Sequence, residues 1–409
     1  MTETITTDIV VAGNGPAGMA AALALAQAGF EVAIAAPPQI KPDMRTTALM
    51  APSILFLNQL GVWGKLKAKS APLTSMRIID GTSRLVRSRP VTFHAAEIGE
   101  EAFGWNIPNV DLNAALLDAL GNYTAIRIIN EPVSKWETTE TGISAALGVG
   151  RFIQARLGVG ADGRNSMARE HAHIRVSTWS YPQSAFVTTF SHRLPHQNMS
   201  TEFHTESGPC TQVPLPGDRS SLVWVVTPKR ATELFAMTDA ELSTAIEDRL
   251  QSFLGKVTIG PQRQAWPLSG QYPHRFGQNR IALVGEAAHV FPPIGAQGLN
   301  LGLRDVEDLV KAASAYPVDP GADKVLQAYD SSRRPDIMAR TGAVDALNRT
   351  LLTSFLPAQM LRAASLAALD IAPPLRNLFM REGMRPGTGL SAIFSELREK
   401  VRRNPAASG

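Results

Sequence analysis

The chain has 409 residues, of which 44% are hydrophobic and 19% charged, and its net charge is +4. Those values suit a soluble globular protein of two closely integrated domains, and so small a charge for this length excludes a general hold on nucleic acid. One cysteine, Cys210, beside eight histidines excludes a disulfide framework, a CxxC redox pair and a cysteine-built metal site, and no metal is expected.

Residues 8–32 read as a strand, then Gly13-x-Gly15-x-x-Gly18, then an alanine-rich helix, then a second strand. This is a dinucleotide fingerprint in its required context. Gly13 makes the turn, Gly15 lets the backbone approach a pyrophosphate, and Gly18 lets helix and strand pack closely. Pro16 sits in the first helical turn, where its missing N–H costs nothing, and Ala17 follows it at the same helix start. The 22 residues 9–30 carry no charge, but their glycines and Pro16 argue against a membrane span, and MTETITTD lacks the basic start of a secretion signal.

Further along, residues 157–166, LGVGADGRNS, deliver Asp162 and Gly163 to a turn at a strand end. Asp162 is placed to accept hydrogen bonds and Gly163 to allow close approach. Alternating segments at 185–191, 201–204, 211–215 and 221–227 predict a β-sheet, with Phe186, Phe190, Val213, Leu215, Val223 and Val225 as candidate pocket residues or as core. Pro- and Gly-containing stretches at 177–182, 260–273 and 316–321 mark expected seams.

The richest stretch is 280–305, RIALVGEAAHVFPPIGAQGLNLGLRD. A short apolar strand exits through Gly285 into an acidic turn at Glu286, a rigid Pro292-Pro293 corner follows, and Gly298, Leu299 and Asn300 begin a helix whose free N–H groups suit an anion. His289 on such a strand exit is as readily a hydrogen-bonded structural residue as a catalytic one. Beyond Asp305 the pattern is mostly helical. The segment 376–403 carries seven Arg and Lys against three Glu, which reads as a solvated tail compatible with a weak hold on anionic lipid.

Together, the turns at Gly13 to Gly18, at Asp162-Gly163-x-x-Ser166 and at Gly285-Glu286-Ala287-Ala288-His289 resemble the three flavin motifs of the single-component aromatic hydroxylases, which have the para-hydroxybenzoate hydroxylase-like fold. Within that group the chain is similar to the ubiquinone-biosynthesis hydroxylases, through Asp43-Met44-Arg45-Thr46-Thr47-Ala48-Leu49, Leu60-Gly61-Val62-Trp63 and residues 293–300.

The resemblance implies a mixed α/β fold: a Rossmann-like FAD-binding domain from 1–176 and 274–345, with an inserted β-sheet substrate domain at 177–273 and a C-terminal helical region with a basic tail at 346–409. Part of the substrate sheet is expected near 65–105. It implies FAD as cofactor, NAD(P)H as a transient co-substrate that leaves no second fingerprint, and O2 as the source of oxygen for an electron-rich phenol. Gly13, Gly15, Pro16, Ala17, Gly18, Arg45, Asp162, Gly163, Gly285, Glu286, Gly298, Leu299 and Asn300 would then bind FAD. The Pro293 backbone would lie near the flavin C4a, and Asn109 would begin a flavin-side helix unless it only caps it. No acid–base residue is assigned.

Three departures accompany the match. Ala36 stands where the family often has an acidic residue on the adenosine ribose, a loss of about 1.5 to 3 kcal/mol if nothing replaces it. Glu286 replaces the usual Asp. Gly295-Ala296 reverses the usual Ala-Gly order and alters the dihedrals open to the loop. Three readings follow: a hydroxylase of a polyprenylated phenol in ubiquinone biosynthesis, the same chemistry on a small soluble aromatic, and a non-catalytic partner in a ubiquinone-synthesis complex. The expected setting is cytoplasmic, at the inner face of a membrane or in a multi-enzyme complex, as monomer or dimer.

Overall fold

The computed structural model describes residues 3–38, 42–82, 88–293, 296–352, 376–378 and 380–381, with the backbone alone over 343–352. The fingerprint segment folds as its pattern requires. Ile9–Ala12 and Val32–Ala35 are fully buried strands, and the helix Pro16–Gln27 between them buries nine of its residues. Strands with no polar alternation belong in the middle of a parallel sheet covered on both faces. These lie in a six-stranded sheet that also contains Ile126–Ile129, Leu157–Gly160, Ile281–Leu283 and the short antiparallel edge Gly277–Gln278.

A seven-stranded sheet forms the second layer, from Val257–Pro273 at one edge through Val176–His192, Arg219–Val226, Gly208–Leu215, Met199–Thr205 and Ser75–Asp80 to Val91–His94. Two of its strands therefore come from before residue 100. Met199–Thr205 pairs with Ser75–Asp80 in parallel. The helices Pro228–Ala236 and Asp239–Arg249 cover one face, where Leu234, Leu242 and Ile246 pack on Phe186, Phe190, Phe203, Cys210, Leu222 and Trp224. Period-2 alternation thus turns Phe186 and Phe190 into core beneath these helices, whereas Val213 and Val223 are half-buried. Cys210 is fully buried, which pushes its thiol pKa up.

The stretches 177–182 and 260–273 are not breaks in the chain's regular structure; the chain passes between the two sheets just outside them. They lie inside the two long strands, which pair from Val176 with Pro273 to His192 with Val257. Register shifts occur between Ser180 and Ser184 and between Thr188 and Phe190, beside Pro182 and Pro261. Proline lacks a ladder donor and is tolerated at such bulges, so these prolines mark bends within strands. The C-terminal part is helical where described, through Gln297–Ser314 and Asp323–Leu352.

Arg376 departs from the solvated-tail expectation. Its guanidinium donates to both Glu97 oxygens, at 2.6 and 2.8 Å, and to the Thr92 carbonyl, and it stacks 4.7 Å over the Phe93 ring. Nearby Met380 is buried against Val91, Phe93 and Phe103. The rest of the basic tail and almost all of the apolar stretch 351–379 lie outside the described residues.

Candidate cofactor site

Three turns at the carboxyl ends of adjacent strands meet in one crevice. Gly13 has φ +112°, and a Cβ placed there would stand 2.2 Å from the Ala161 carbonyl oxygen. A Cβ on Gly18 would stand 2.1 Å from the Gly13 oxygen, while one on Gly15 would meet nothing within 4 Å. Gly13 and Gly18 are thus demanded by packing, and Gly15 by space held open. Pro16 occupies the first helical turn, and no side chain caps the helix, so its leading N–H groups face the open side.

The second turn is tied to the first by the Ala161 N–H, which donates to the Ala12 carbonyl at 2.8 Å. Asp162 Oδ2 accepts the Ala168 N–H at 3.1 Å. Its Oδ1 is buried and has no partner among the described residues. An ionised oxygen left so is costly unless a ligand donor completes it. Gly163, at φ +81°, borders open space. Ser166 Oγ accepts the Arg169 N–H at 3.0 Å, and Arg169 donates to the Ala287 carbonyl at 2.8 Å, which joins the second turn to the third.

At the third turn, Gly285 has φ +61° and lies against Ala17. Glu286 is exposed while Gly285 and Ala287 are buried. Arg45 lies near enough for the Glu286 charge to act on it: hydrogen bonding to Asp43 raises the Arg45 pKa, burial opposes this, and the charges of Asp43 and Glu286 add to it. Arg45 Nε donates to Asp43 Oδ1 at 2.8 Å. Asn109 does not cap its helix, whose N-cap is Pro108. It donates instead to Asp43 at 2.8 Å and accepts the Thr47 hydroxyl at 2.6 Å, bracing the loop that carries Arg45. Ala36 is buried and offers no side-chain acceptor.

Pro293 is half-buried beside buried Pro292. The helix Gln297–Ser314 then starts with no side-chain cap, and a Cβ on Gly298 would meet nothing within 4 Å. Leu299 packs on the core. The Asn300 side chain is spent inside the protein: Oδ1 accepts the Met50 N–H at 2.9 Å and the Ser53 hydroxyl at 2.7 Å, while Nδ2 donates to the Ala48 and Ala296 carbonyls at 2.9 and 2.6 Å. Its side chain is therefore not available to a ligand. Ala296 adopts φ 53°, ψ 37°, a left-handed conformation that favours glycine. Ala296→Gly is therefore expected to raise stability by about 1 kcal/mol, read as a higher unfolding midpoint of the flavin-free protein; an unchanged midpoint would show that the loop stores no such strain.

Sequence reasoning missed the group beneath the third turn. Asp305, fully buried, accepts the Gly285 N–H at 3.0 Å, His289 Nε2 at 2.7 Å and Arg333 Nε at 2.8 Å. His289 is thus fixed through Nε2 by a buried carboxylate, while its Nδ1 is buried with no partner among the described residues. A signal existed, since Leu301, Asp305 and Leu309 share one helical stripe, as do Val325, Tyr329, Arg333 and Ile337. A charge within an apolar stripe calls for a buried partner.

Open space at Gly15 and Gly298, two uncapped helix starts and the orphaned Asp162 oxygen fit an elongated cofactor with a pyrophosphate, a hydroxyl-bearing chain and an anionic ring edge. That description matches FAD. No group of three or more metal-ligating side chains occurs among the described residues.

Residues 6–342 match the FAD binding domain family. The chain is 33% identical over 389 residues to ubiquinone hydroxylase UbiL of Rhodospirillum rubrum, covering 92% of this chain and 89% of that protein. It is 30% identical over 397 residues to 3-demethoxyubiquinol 3-hydroxylase of Escherichia coli, covering 94% and 99%. Its fold superposes on p-nitrophenol 4-monooxygenase PnpA of Pseudomonas putida with a TM-score of 0.73 at 19% identity, over 96% and 98% of the two chains. The chain belongs to the FAD binding domain family and is an FAD-dependent aromatic-ring monooxygenase.

Proposed function

We propose that this monooxygenase hydroxylates a polyprenylated phenol in ubiquinone biosynthesis, using NAD(P)H and O2. The supporting observation is that two relatives named for ubiquinone-pathway hydroxylation align over more than nine-tenths of the chain, with the glycine turns intact. Bound FAD supplies the redox and oxygen-transfer chemistry.

The protein's own part is to bind, orient and exclude water. The N–H groups at Gly15 to Gly18 hold the pyrophosphate, with Pro16 and Ala17 shaping the helix start. Asp162 Oδ1 accepts a hydroxyl of the cofactor, and Gly163 admits its close approach. Glu286 follows Gly285 toward the ribityl chain, and Arg45 lies along the opposite wall. The amides of Gly298, Leu299 and Asn300, with the helix dipole, stabilise negative charge at the N1–C2=O edge of the ring. The rigid Pro292-Pro293 corner sets the backbone at Pro293 beside the reacting carbon. Residues 177–273 with the strands Ser75–Asp80 and Val91–His94 serve as the substrate sheet, whose half-buried Val213 and Val223 face the aromatic ring. His289 is held in place by Asp305 through Nε2.

No helix of the described residues is long and apolar enough to cross a membrane. A membrane-facing role for the apolar C-terminal stretch is tested by flotation with liposomes at physiological salt, where protein remaining wholly in the supernatant removes it. The substrate reading is tested by NADPH consumption with the FAD-loaded enzyme. Stimulation by prenylphenols supports it, and stimulation by short phenols alone overturns it in favour of a soluble aromatic. A purified chain that stays colourless in excess FAD would overturn this reading in favour of a non-catalytic partner.

A further inference from the structure

A cleft of about 300 Å³ opens at the outer edge of the six-stranded sheet, lined by His173, Ile174, Arg175, His274, Arg275 and Gln278. It shares no residue with the cofactor crevice. Its walls are two chain segments that pass between the sheets and are fixed to each other. The His274 N–H donates to the Arg175 carbonyl at 2.8 Å, one step beyond the Val176 and Pro273 pair, and the Ser177 hydroxyl lies 3.0 Å from His274 Nε2. Gln278 is held opposite Ile281 in the sheet. Arg175, Arg275, His173 and His274 are all exposed, yet their backbone cannot spread to separate them.

Opposing charge is sparse there. Among the described residues neither Arg175 nor Arg275 has an ion-pair partner. Asp330, which contacts the adjoining Phe276, already accepts its N–H at 2.9 Å and faces Arg334 at 3.8 Å. Arg334 itself donates to the His274 carbonyl at 3.4 Å, so a third guanidinium contacts a lining residue. Basic groups gathered around a concavity repel one another unless an anion enters, and planar guanidinium forks match phosphate oxygens in bidentate pairs.

We propose that this cleft binds a phosphate-bearing anion, held between Arg175 and Arg275 with hydrogen bonds from the His173 and His274 rings and the Gln278 amide. The ligand chemistry is that of a phosphomonoester or diphosphate. A dinucleotide co-substrate, an anionic lipid headgroup and free phosphate all carry it. The site is independent of which aromatic substrate the enzyme takes.

The test titrates inorganic diphosphate into the full-length, FAD-loaded protein by calorimetry at low salt. Arg175→Gln combined with Arg275→Gln is expected to weaken binding about tenfold or more while leaving the circular dichroism, unfolding midpoint and bound flavin unchanged. Equal affinity in both proteins, or no binding to the wild type at millimolar diphosphate, overturns the proposal. Two further arms identify the source. A rise of about tenfold in KM for NADPH at constant kcat assigns the dinucleotide, and lost cosedimentation with phosphatidylglycerol vesicles assigns the headgroup. Loss of diphosphate binding with both arms unchanged assigns the free anion.

Discussion

Asp305→Ala is expected to cost about 3 to 5 kcal/mol of folding stability, because it removes one half of a buried ion pair and leaves the other half in place. The Asp305 side chain is wholly inaccessible and that of Arg333 only 3% accessible, so no water can take over the lost bonds. Three donors are stranded at once: the Gly285 N–H, His289 and Arg333 Nε. Arg333 keeps Asp308 at 3.2 Å and Asp336 at 3.0 Å, which holds the loss toward the lower end of that range. Because Gly285 opens the acidic turn, flavin retention is expected to fall with stability. The measurement is a urea midpoint on the flavin-free protein beside Asp308→Ala, whose partly exposed carboxylate contributes about 0 to 1 kcal/mol. Equal midpoints for the two variants would show that the buried pair supports neither the helix nor the turn.

The second large effect separates two glycines that look alike in the fingerprint. Gly18→Ala puts a methyl 2.1 Å from the Gly13 carbonyl oxygen, a backbone atom that cannot step aside without moving the turn. The expected cost is about 1 to 3 kcal/mol or more in the flavin-free protein, together with loss of FAD. Gly15→Ala meets no atom within 4 Å and keeps an ordinary φ of −68°. The flavin-free protein should therefore melt as the wild type does, within about 0.5 kcal/mol, while the FAD dissociation constant rises about tenfold or more, equivalent to about 1.4 kcal/mol. Fluorescence quenching of added FAD measures the second quantity. If Gly15→Ala binds FAD as tightly as the wild type, the pyrophosphate does not approach that backbone.

The three cofactor turns were legible in the sequence because each is a local pattern: glycines at fixed spacing after a strand and before a helix. The strands at 185–191, 201–204 and 211–215 were legible for the same reason, since alternation is a property of neighbours. What escaped were relations between distant residues. Arg376 looked like a tail cation until Glu97, 279 positions away, was seen to hold it. Asn109 read either as the start of a flavin-side helix or as its cap, yet its side-chain partner Asp43 is 66 positions distant. Pro182 and Pro261 looked like boundaries because composition cannot tell a break between elements from a bulge within one. The unusual Gly295-Ala296 order did forecast altered backbone, and the left-handed Ala296 is where it shows.

The meeting of three turns has a consequence for the order of events during synthesis. Their residues, Gly13 to Gly18, Asp162 and Gly285 to Asn300, are spread over most of the described chain, and the strands Leu157–Gly160 and Ile281–Leu283 that carry two of them flank the whole insertion. No fragment emerging from the ribosome can own a complete flavin crevice until Asn300 has been made. Ser75–Asp80 must likewise wait for Met199–Thr205 as its parallel neighbour. Such non-local pairing is slow to form and exposes unpaired edges meanwhile. If these turns hold the cofactor, its capture comes late in folding, and added flavin is expected to raise the yield of folded protein as well as its activity.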